Sequence, residues 1–325
     1  MRICDLALQL EESEVGSRVQ MLYGELQYKG LKFKPEVYFG DEWFSPEGAV
    51  AISIPFWLAH PRLIELEEKM MLEVEGGSLE WFLKLIRHEA GHCFDHAYGF
   101  SKRKRWRELF GSPEQEYHPE MYRPRPYSRS FVQNLDNWYA QAHPDEDFAE
   151  TFAVWVDPGR DWRREYTKSK VVLEKLEYIN SLAKGEVKEK FKGRTRHQPY
   201  SAARMKITLG KYYAKRKKEH AEDYPDFYDP DLRRIFNGDP ALKKSENAAA
   251  LFMKKRKKLL LDSVAWWAGE RKVTVEQLMK KLTERCAKLG LRTGTDDDRT
   301  QVELTAYLSS LVSNYLFTGK FKRRV

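Results

Sequence analysis

The segment His88-Glu89-Ala90-Gly91-His92 carries the side chains best suited to chemistry. Two imidazoles four residues apart stand one helical turn from each other, so both can bind one Zn2+, and the carboxylate between them can serve as general base toward an attacking water. At about 100° per residue, His88 and His92 share one face of a helix. Leu79, Phe82, Ile86, Ala90, Cys93 and Ala97 form a stripe on the opposite side. Such a helix buries its back and presents its ligands to a cleft. The pattern arises by accident in roughly one in a hundred chains of this length, so a third ligand is needed to give it weight.

His96 is a nearby imidazole, but on a continuous helix it stands about 12 Å along the axis from His88, too far to share an ion. Position 95 is Asp, so no glycine turns the chain back to deliver a third histidine, as it does in metzincins. The run Glu146-Asp147-Phe148-Ala149-Glu150-Thr151-Phe152 offers a better source. It sets Glu146 and Glu150 on one helical face and Phe148 and Phe152 on the other. If one carboxylate binds the metal, the other can accept the remaining N–H of a ligand histidine. We expect Glu146 on the ion and Glu150 behind the histidine. The reversed assignment satisfies the same spacing, and alone the pair reads as the solvated face of an amphipathic helix. Coincidence with an HExxH on a second helix favours a metal.

These residues need two helices to hold them. Ser78 can cap a helix running to about Tyr98, which Gly99 stops, and Pro144 suits the first position of a helix that ends before Pro158. Upstream, the periodicity predicts a helix over 17–28, strands over 34–39 and 49–56 with a turn at Pro46 and Gly48, and a helix from Pro61 to about Met71. Residues 103–129, rich in proline, predict a long ordered surface loop. A helix over 170–183 follows. Helices over 242–267, 274–289 and 296–317 predict a small bundle, with Thr274 and Gln277 matching a capping box.

The 325 residues, 42% hydrophobic and 13% aromatic, suffice for a folded core and contain no apolar run able to span a bilayer. No apolar leader is visible, so a cytoplasmic location is expected. Cys4, Cys93 and Cys286 lack metal spacing and read as reduced packing residues. The net charge of +8 hides an asymmetry. Residues 1–160 carry 18 basic and 27 acidic residues, and residues 161–325 carry 39 and 22, so the two parts stand at −9 and +17. The basic part includes Arg194, Arg196, Lys206, Lys211 and the cluster 215–218 beside Tyr200, Tyr212 and Tyr213. It could face nucleic acid, an acidic protein partner or an anionic membrane, although basic runs are most often solvated helix faces. Trp266 and Trp267, with Leu259 to Leu261, read as bundle core or as a docking surface for the first half.

Several stretches resemble the gluzincin metallopeptidases, and most closely the bacterial family labelled "putative zinc-binding metallopeptidase". They are Gly30-Leu31 with Phe33 and Pro35, Glu42 to Pro46, Ile52 to Phe56, His88 to His92, and Tyr139 to Pro144 leading into Glu146 to Phe152. The likeness spans roughly the first half. It implies an α+β fold with a small sheet whose edge strand lies beside the HExxH helix, and Glu146 as third ligand of a single zinc ion. It also implies a Tyr seven residues before that ligand, here Tyr139, acting on the oxyanion or the leaving amine. An extended protein or peptide substrate would pair with the edge strand Ala49, Val50, Ala51, Ile52, Ser53 and Ile54. The cysteine ribbon that such proteins commonly carry at the start has only Cys4 to match it.

The expected organisation is a catalytic domain over 1–185, a basic linker or wrapping arm over 186–240, and a helical accessory domain over 241–325. The expected function is a zinc peptidase with Glu89 as general base. The alternative is a non-catalytic zinc protein whose basic half binds nucleic acid or an acidic partner.

Overall fold

The structure, a computed structural model, describes residues 1–117, 124–125, 127–185, 198–219, 228–238 and 248–318. It is mostly helical with one two-stranded parallel sheet, an α+β composition. Two units separate: Met1–Glu68 with Val74–Leu209, and Lys69–Glu73 with Gly210–Val325. Of the segment expected as a linker or arm, residues up to 209 therefore belong to the first unit and the rest to the second. Residues 198–209 return to the chain's start, where Ile3 N–H donates to Ile207 O at 3.0 Å and Cys4 N–H to Met205 O at 3.0 Å.

In the first unit, α1 (Glu14–Tyr28) starts where Ser13 Oγ accepts the Gly16 N–H, and buries the stripe Val15, Val19, Leu22 and Leu26. β1 (Glu36–Gly40) and β2 (Ala51–Pro55) run parallel, in register from Glu36 opposite Ala51 to Gly40 opposite Pro55. Every residue of β2 is buried, as strands covered on both faces are. The expected turn sits inside the crossover, where Ala49 N–H donates to Pro46 O at 3.0 Å and Gly48 adopts φ +67°. Next come α2 (Pro61–Met71) and α3 (Leu79–Tyr98). Ser78 Oγ caps α3 through the Trp81 N–H at 3.2 Å, and Gly99, at φ +64°, ends it.

The expected surface loop after residue 103 is in part a helix, α4 (Lys104–Phe110). Trp106 and Phe110, one turn apart, pack on Phe148 with ring centroids 5.9 and 5.3 Å away. That apolar i, i+4 pair outweighs the proline-rich composition that follows it. The unit is completed by α5 (Pro144–Val156), α6 (Trp162–Glu165) and α7 (Lys170–Gly185).

The second unit holds α8 (Leu209–Glu219), α9 (Asp229–Ile235), α10 (Ala249–Lys255), α11 (Lys257–Ala268), α12 (Lys272–Lys288) and α13 (Asp297–Thr318). The helix expected over 242–267 breaks at Arg256, whose guanidinium turns to Gln301 at 2.8 Å and Asp297 at 3.1 Å. The expected capping box does not form. α12 begins two residues before Thr274, which is buried and donates to Glu270 Oε1 at 3.2 Å instead. Leu260, Val264, Leu278, Leu282, Leu304 and Leu308 form the centre of the core. Trp266 and Trp267, read from the sequence as bundle core or as a docking surface, lie outside this core at 72% and 81% exposure. Among the described residues no helix is long and apolar enough to cross a membrane.

Candidate metal centre

Two buried helices build the centre, and their closeness is set by a residue without a side chain. A Cβ at Gly91 would lie 2.7 Å from Ala149 Cα and 2.9 Å from Ala149 O, so α3 and α5 touch backbone to backbone at that point. Phe94 and Phe152 pack beside it, ring centroids 5.0 Å apart. Arg87, 7% exposed, ties the back of α3 to Glu25 of α1 by two bonds of 2.6 and 2.8 Å and to Asp157 beyond α5 at 2.7 Å. At the start of α5, His143 Nδ1 accepts the Asp145 N–H, and three acidic residues fill the first turn, where the helix dipole favours them.

This packing brings His88, His92 and Glu146 together, close enough to form a metal site. His88 Nε2 lies 3.0 Å from Glu146 Oε2, His92 Nε2 lies 3.3 Å from the same oxygen, and the two Nε2 atoms are 3.1 Å apart. Donors about 2.0–2.1 Å from a tetrahedral zinc are about 3.4 Å from one another, so the triangle is a few tenths of an ångström tighter than a loaded site requires. The donor chemistry fits a cation as well. Glu150 Oε1 can only accept, so His88 Nδ1 donates to it at 2.8 Å, which leaves the lone pair of a neutral His88 on Nε2, facing a carboxylate oxygen. Two acceptors at 3.0 Å need a positive charge between them.

The titration of the ion-free centre reflects the same demand. Burial opposes a charge on His88, but hydrogen bonds to Glu146 and Glu150 outweigh it and hold the imidazole well above its ordinary value. Burial would raise Glu146, yet His92 and His88 keep it well below the usual carboxylate range. Glu89 is 6% exposed, and its Oε2 has no hydrogen-bond partner among the described residues. Burial raises its proton affinity against the pull of both histidines.

Glu150 is fully buried and its acceptors are filled. Besides His88, Oε1 accepts from Asn134 Nδ2 at 2.9 Å, and Oε2 accepts the Leu135 N–H at 2.8 Å. Asn134 also donates to Lys84 O at 3.3 Å. The carboxylate thus anchors the segment leading to Tyr139, whose ring stands 5.6 Å from that of His88. The Tyr139 hydroxyl shares a 2.7 Å hydrogen bond with the Tyr117 hydroxyl. Shielding from water, and after it the charge of Glu146, raises both phenols above their ordinary value, so both stay protonated at neutral pH. The segment carrying Tyr117 is fastened to α5, because His143 Nε2–H donates to Gln115 O at 3.0 Å and the Tyr117 ring packs edge-on against His143.

The remaining sequence candidates lie along the other flank of α3. His96 Nδ1 engages Ala49 O at 3.0 Å. Ala51 O accepts from Ser45 Oγ at 3.1 Å and from Cys93 at 3.4 Å, and Ser53 N–H donates to Phe44 O at 2.8 Å. On the side of β2 away from β1, these three backbone groups of residues 49–54 are therefore engaged within the chain.

Sequence reasoning did not find Tyr117, Asn134 or the buried pair Asp147–Lys175, joined at 2.5 Å beneath the centre. Only Lys175 left a signal. It falls on the apolar stripe Val172, Leu176, Ile179 and Leu182, where a lysine needs a buried partner.

Residues 81–182 match a family described as "Putative zinc-binding metallo-peptidase". The matched stretch runs from α3 into α7 and contains His88, Glu89, His92, Tyr139, Glu146 and Glu150. The likenesses seen between Gly30 and Phe56 fall outside it. No curated protein and no solved structure matches the chain.

Proposed function

We propose that the protein is a zinc-dependent peptidase of gluzincin type, with His88, His92 and Glu146 holding a single ion and Glu89 acting as general base. The observation that carries this reading is the three-donor triangle beside the unpartnered, buried Oε2 of Glu89. A site that served only structure would have no use for a buried carboxylate without a partner. Zinc bound there supplies a Lewis acid that makes water acidic near neutral pH and polarises a carbonyl.

The chain's own residues do the rest. Glu89 takes a proton from the attacking water and returns it to the departing amine, a role that suits a carboxylate whose proton affinity burial has raised. Glu150 holds His88 in the tautomer that turns Nε2 toward the ion. Tyr139 donates a hydrogen bond to the oxyanion, and the 2.7 Å hydrogen bond between its hydroxyl and that of Tyr117 holds the phenol in place beside His88. Pairing of an extended substrate with residues 49–54 requires that the contacts of Phe44, Ser45 and His96 open.

Peptide hydrolysis and zinc content of two variants test the reading. Glu89→Gln is expected to keep its zinc and lose on the order of 10²–10⁴ in rate. His88→Ala is expected to lose both. Full activity in Glu89→Gln overturns the assigned base, and wild-type protein that binds no zinc overturns the proposal.

A further inference from the structure

α11 does not follow the rule of a bundle helix. Leu260, Leu261, Val264 and Ala265 face the core, as they should. The outer face carries Leu259 at 53% exposure with Trp266, and Trp267, which shares the phase of Leu260, stands exposed in the last turn; these are two indoles that water would be expected to expel. Seven residues separate Leu259 from Trp266, which puts them within about 20° on the helix, with Trp267 about 100° further round.

The basic run 254–258 precedes this face, and its members divide into two groups. Arg256 and Lys257 are engaged by neighbouring helices, Arg256 by Asp297 and over the Phe252 ring at 4.0 Å, and Lys257 by Glu276. Lys254, Lys255 and Lys258 are exposed and have no ion-pair partner among the described residues. Asp262, the acidic residue of the outer face, is paired with Lys272 at 3.3 Å. What remains at the surface is three unpaired ammonium groups beside an apolar patch tipped by tryptophans.

We propose that this α10–α11 face docks on an anionic lipid surface, with Trp266, Trp267 and Leu259 entering the headgroup layer and Lys254, Lys255 and Lys258 meeting lipid phosphates. Indoles settle at the boundary between headgroups and acyl chains, and lysines near such a surface gain from its negative potential. A nucleic acid fits less well. The guanidinium of this run, the group suited to bidentate phosphate recognition, is turned inward, and Leu259 offers no stacking face. Tyr212 and Tyr213, which the sequence sets beside the basic cluster 215–218, are buried at 7% and 1% exposure. A second copy related by a two-fold axis would bring the same unpaired lysines to both sides of the interface.

The test is sedimentation of the full chain with phosphatidylcholine vesicles, with and without phosphatidylglycerol, at low and physiological salt. Binding only to the anionic vesicles, weakened by salt, is expected. Trp266→Ser with Trp267→Ser, and separately Lys254→Ser with Lys255→Ser and Lys258→Ser, should each weaken it by roughly tenfold or more. All five positions are exposed, and unchanged circular dichroism and zinc content will show that the variants fold. No binding of wild type to anionic vesicles at low salt overturns the proposal, as does equal binding by either variant. A loss confined to DNA retention or to self-association in the same variants assigns the face to nucleic acid or to a second copy instead, and also overturns it.

Discussion

Where α5 meets α3 the buried face carries His88, Glu89, Glu146 and Glu150, and where it meets α7 it carries Asp147 against Lys175, whereas α11, α12 and α13 meet mainly through leucines and valines. Both are layers of packed helices, yet they hold together differently. In the bundle each buried side chain is replaceable by another of its volume. Around α5 the buried ionisable groups rely on a few specific polar partners, and losing one of these strands a charge. A helix pair that accepts such exposure to failure is built for something other than stability. In the bundle the departures from pattern lie outside, at Trp266 and Trp267, so any function there belongs to its surface.

Removing one member of a buried pair should produce the largest effect. Lys175→Met leaves Asp147 with no cation and is expected to destabilise by about 3–5 kcal/mol in urea unfolding, and adding Asp147→Leu should recover most of it. Burial already pushes the Asp147 carboxyl up to about 7 against the pull of Lys175. A raised acid contributes stability that is full below its unfolded value of 3.8 and is lost as pH rises through about 7. The Lys175→Met loss should therefore be smaller at low pH. Leu308→Ala in the bundle should cost about 2–5 kcal/mol by cavity formation, with no such pH dependence. Equal pH dependence in the two variants would break the distinction.

Next in size are changes that leave the ligands intact and disturb what holds them. Gly91→Ala puts a methyl group 2.7 Å from Ala149 Cα, so the helices must part. We expect a loss of about 1–3 kcal/mol in stability together with weaker zinc binding. Glu150→Gln keeps the shape but removes the charge behind His88, and should weaken zinc by roughly 10–100-fold while leaving the fold intact. Competition with a chromophoric chelator measures both. An unchanged zinc affinity in Glu150→Gln would leave that residue as an anchor of Asn134 and Leu135 and nothing more.

Legibility followed the range of the interactions. The helix of His88 and His92 was readable because both residues, its Ser78 cap and its Gly99 stop are local to one segment, and the helix of Glu146 because it carries a face of its own. Tyr117 and Asn134 act through side-chain contacts to distant segments, Tyr139 and His143 in one case and Glu150 and Lys84 in the other, and no periodicity marks such residues. The break at Arg256 was hidden because 249–268 has helical residues throughout, and only the pull of Gln301 and Asp297 on α13 marks it. Thr274 and Gln277 matched a capping pattern, yet Val273, Val275 and Leu278 are buried, and α12 already begins at Lys272. The Trp266–Trp267 pair reads by residue type as bundle core or a docking surface; helical phase puts Trp266 outside with Leu259, whereas Trp267, in phase with buried Leu260, is exposed in the last turn of α11.

The smallest expected effect is also a sensitive test of the polar layer. His88 in the ion-free centre is held well above its ordinary 6.5 by hydrogen bonds to Glu146 and Glu150 that overcome its burial. The stability this contributes is full below pH 6.5 and is lost as pH rises through the folded value, so at pH 7 the ring carries a proton that zinc must displace. Glu146, held low, has none to give. Zinc binding followed by calorimetry at pH 7, in two buffers of different ionisation enthalpy, should release protons from His88 and from His92, where burial is likewise outweighed by Glu146, which holds the ring above its ordinary value. Affinity should then rise with pH, by up to about tenfold per pH unit for each proton released. Glu150→Gln removes one of the two groups that sustain the charge, so its proton release should fall. Zero release in the wild type would mean that His88 is already neutral, and that Glu150 orients the ring without charging it.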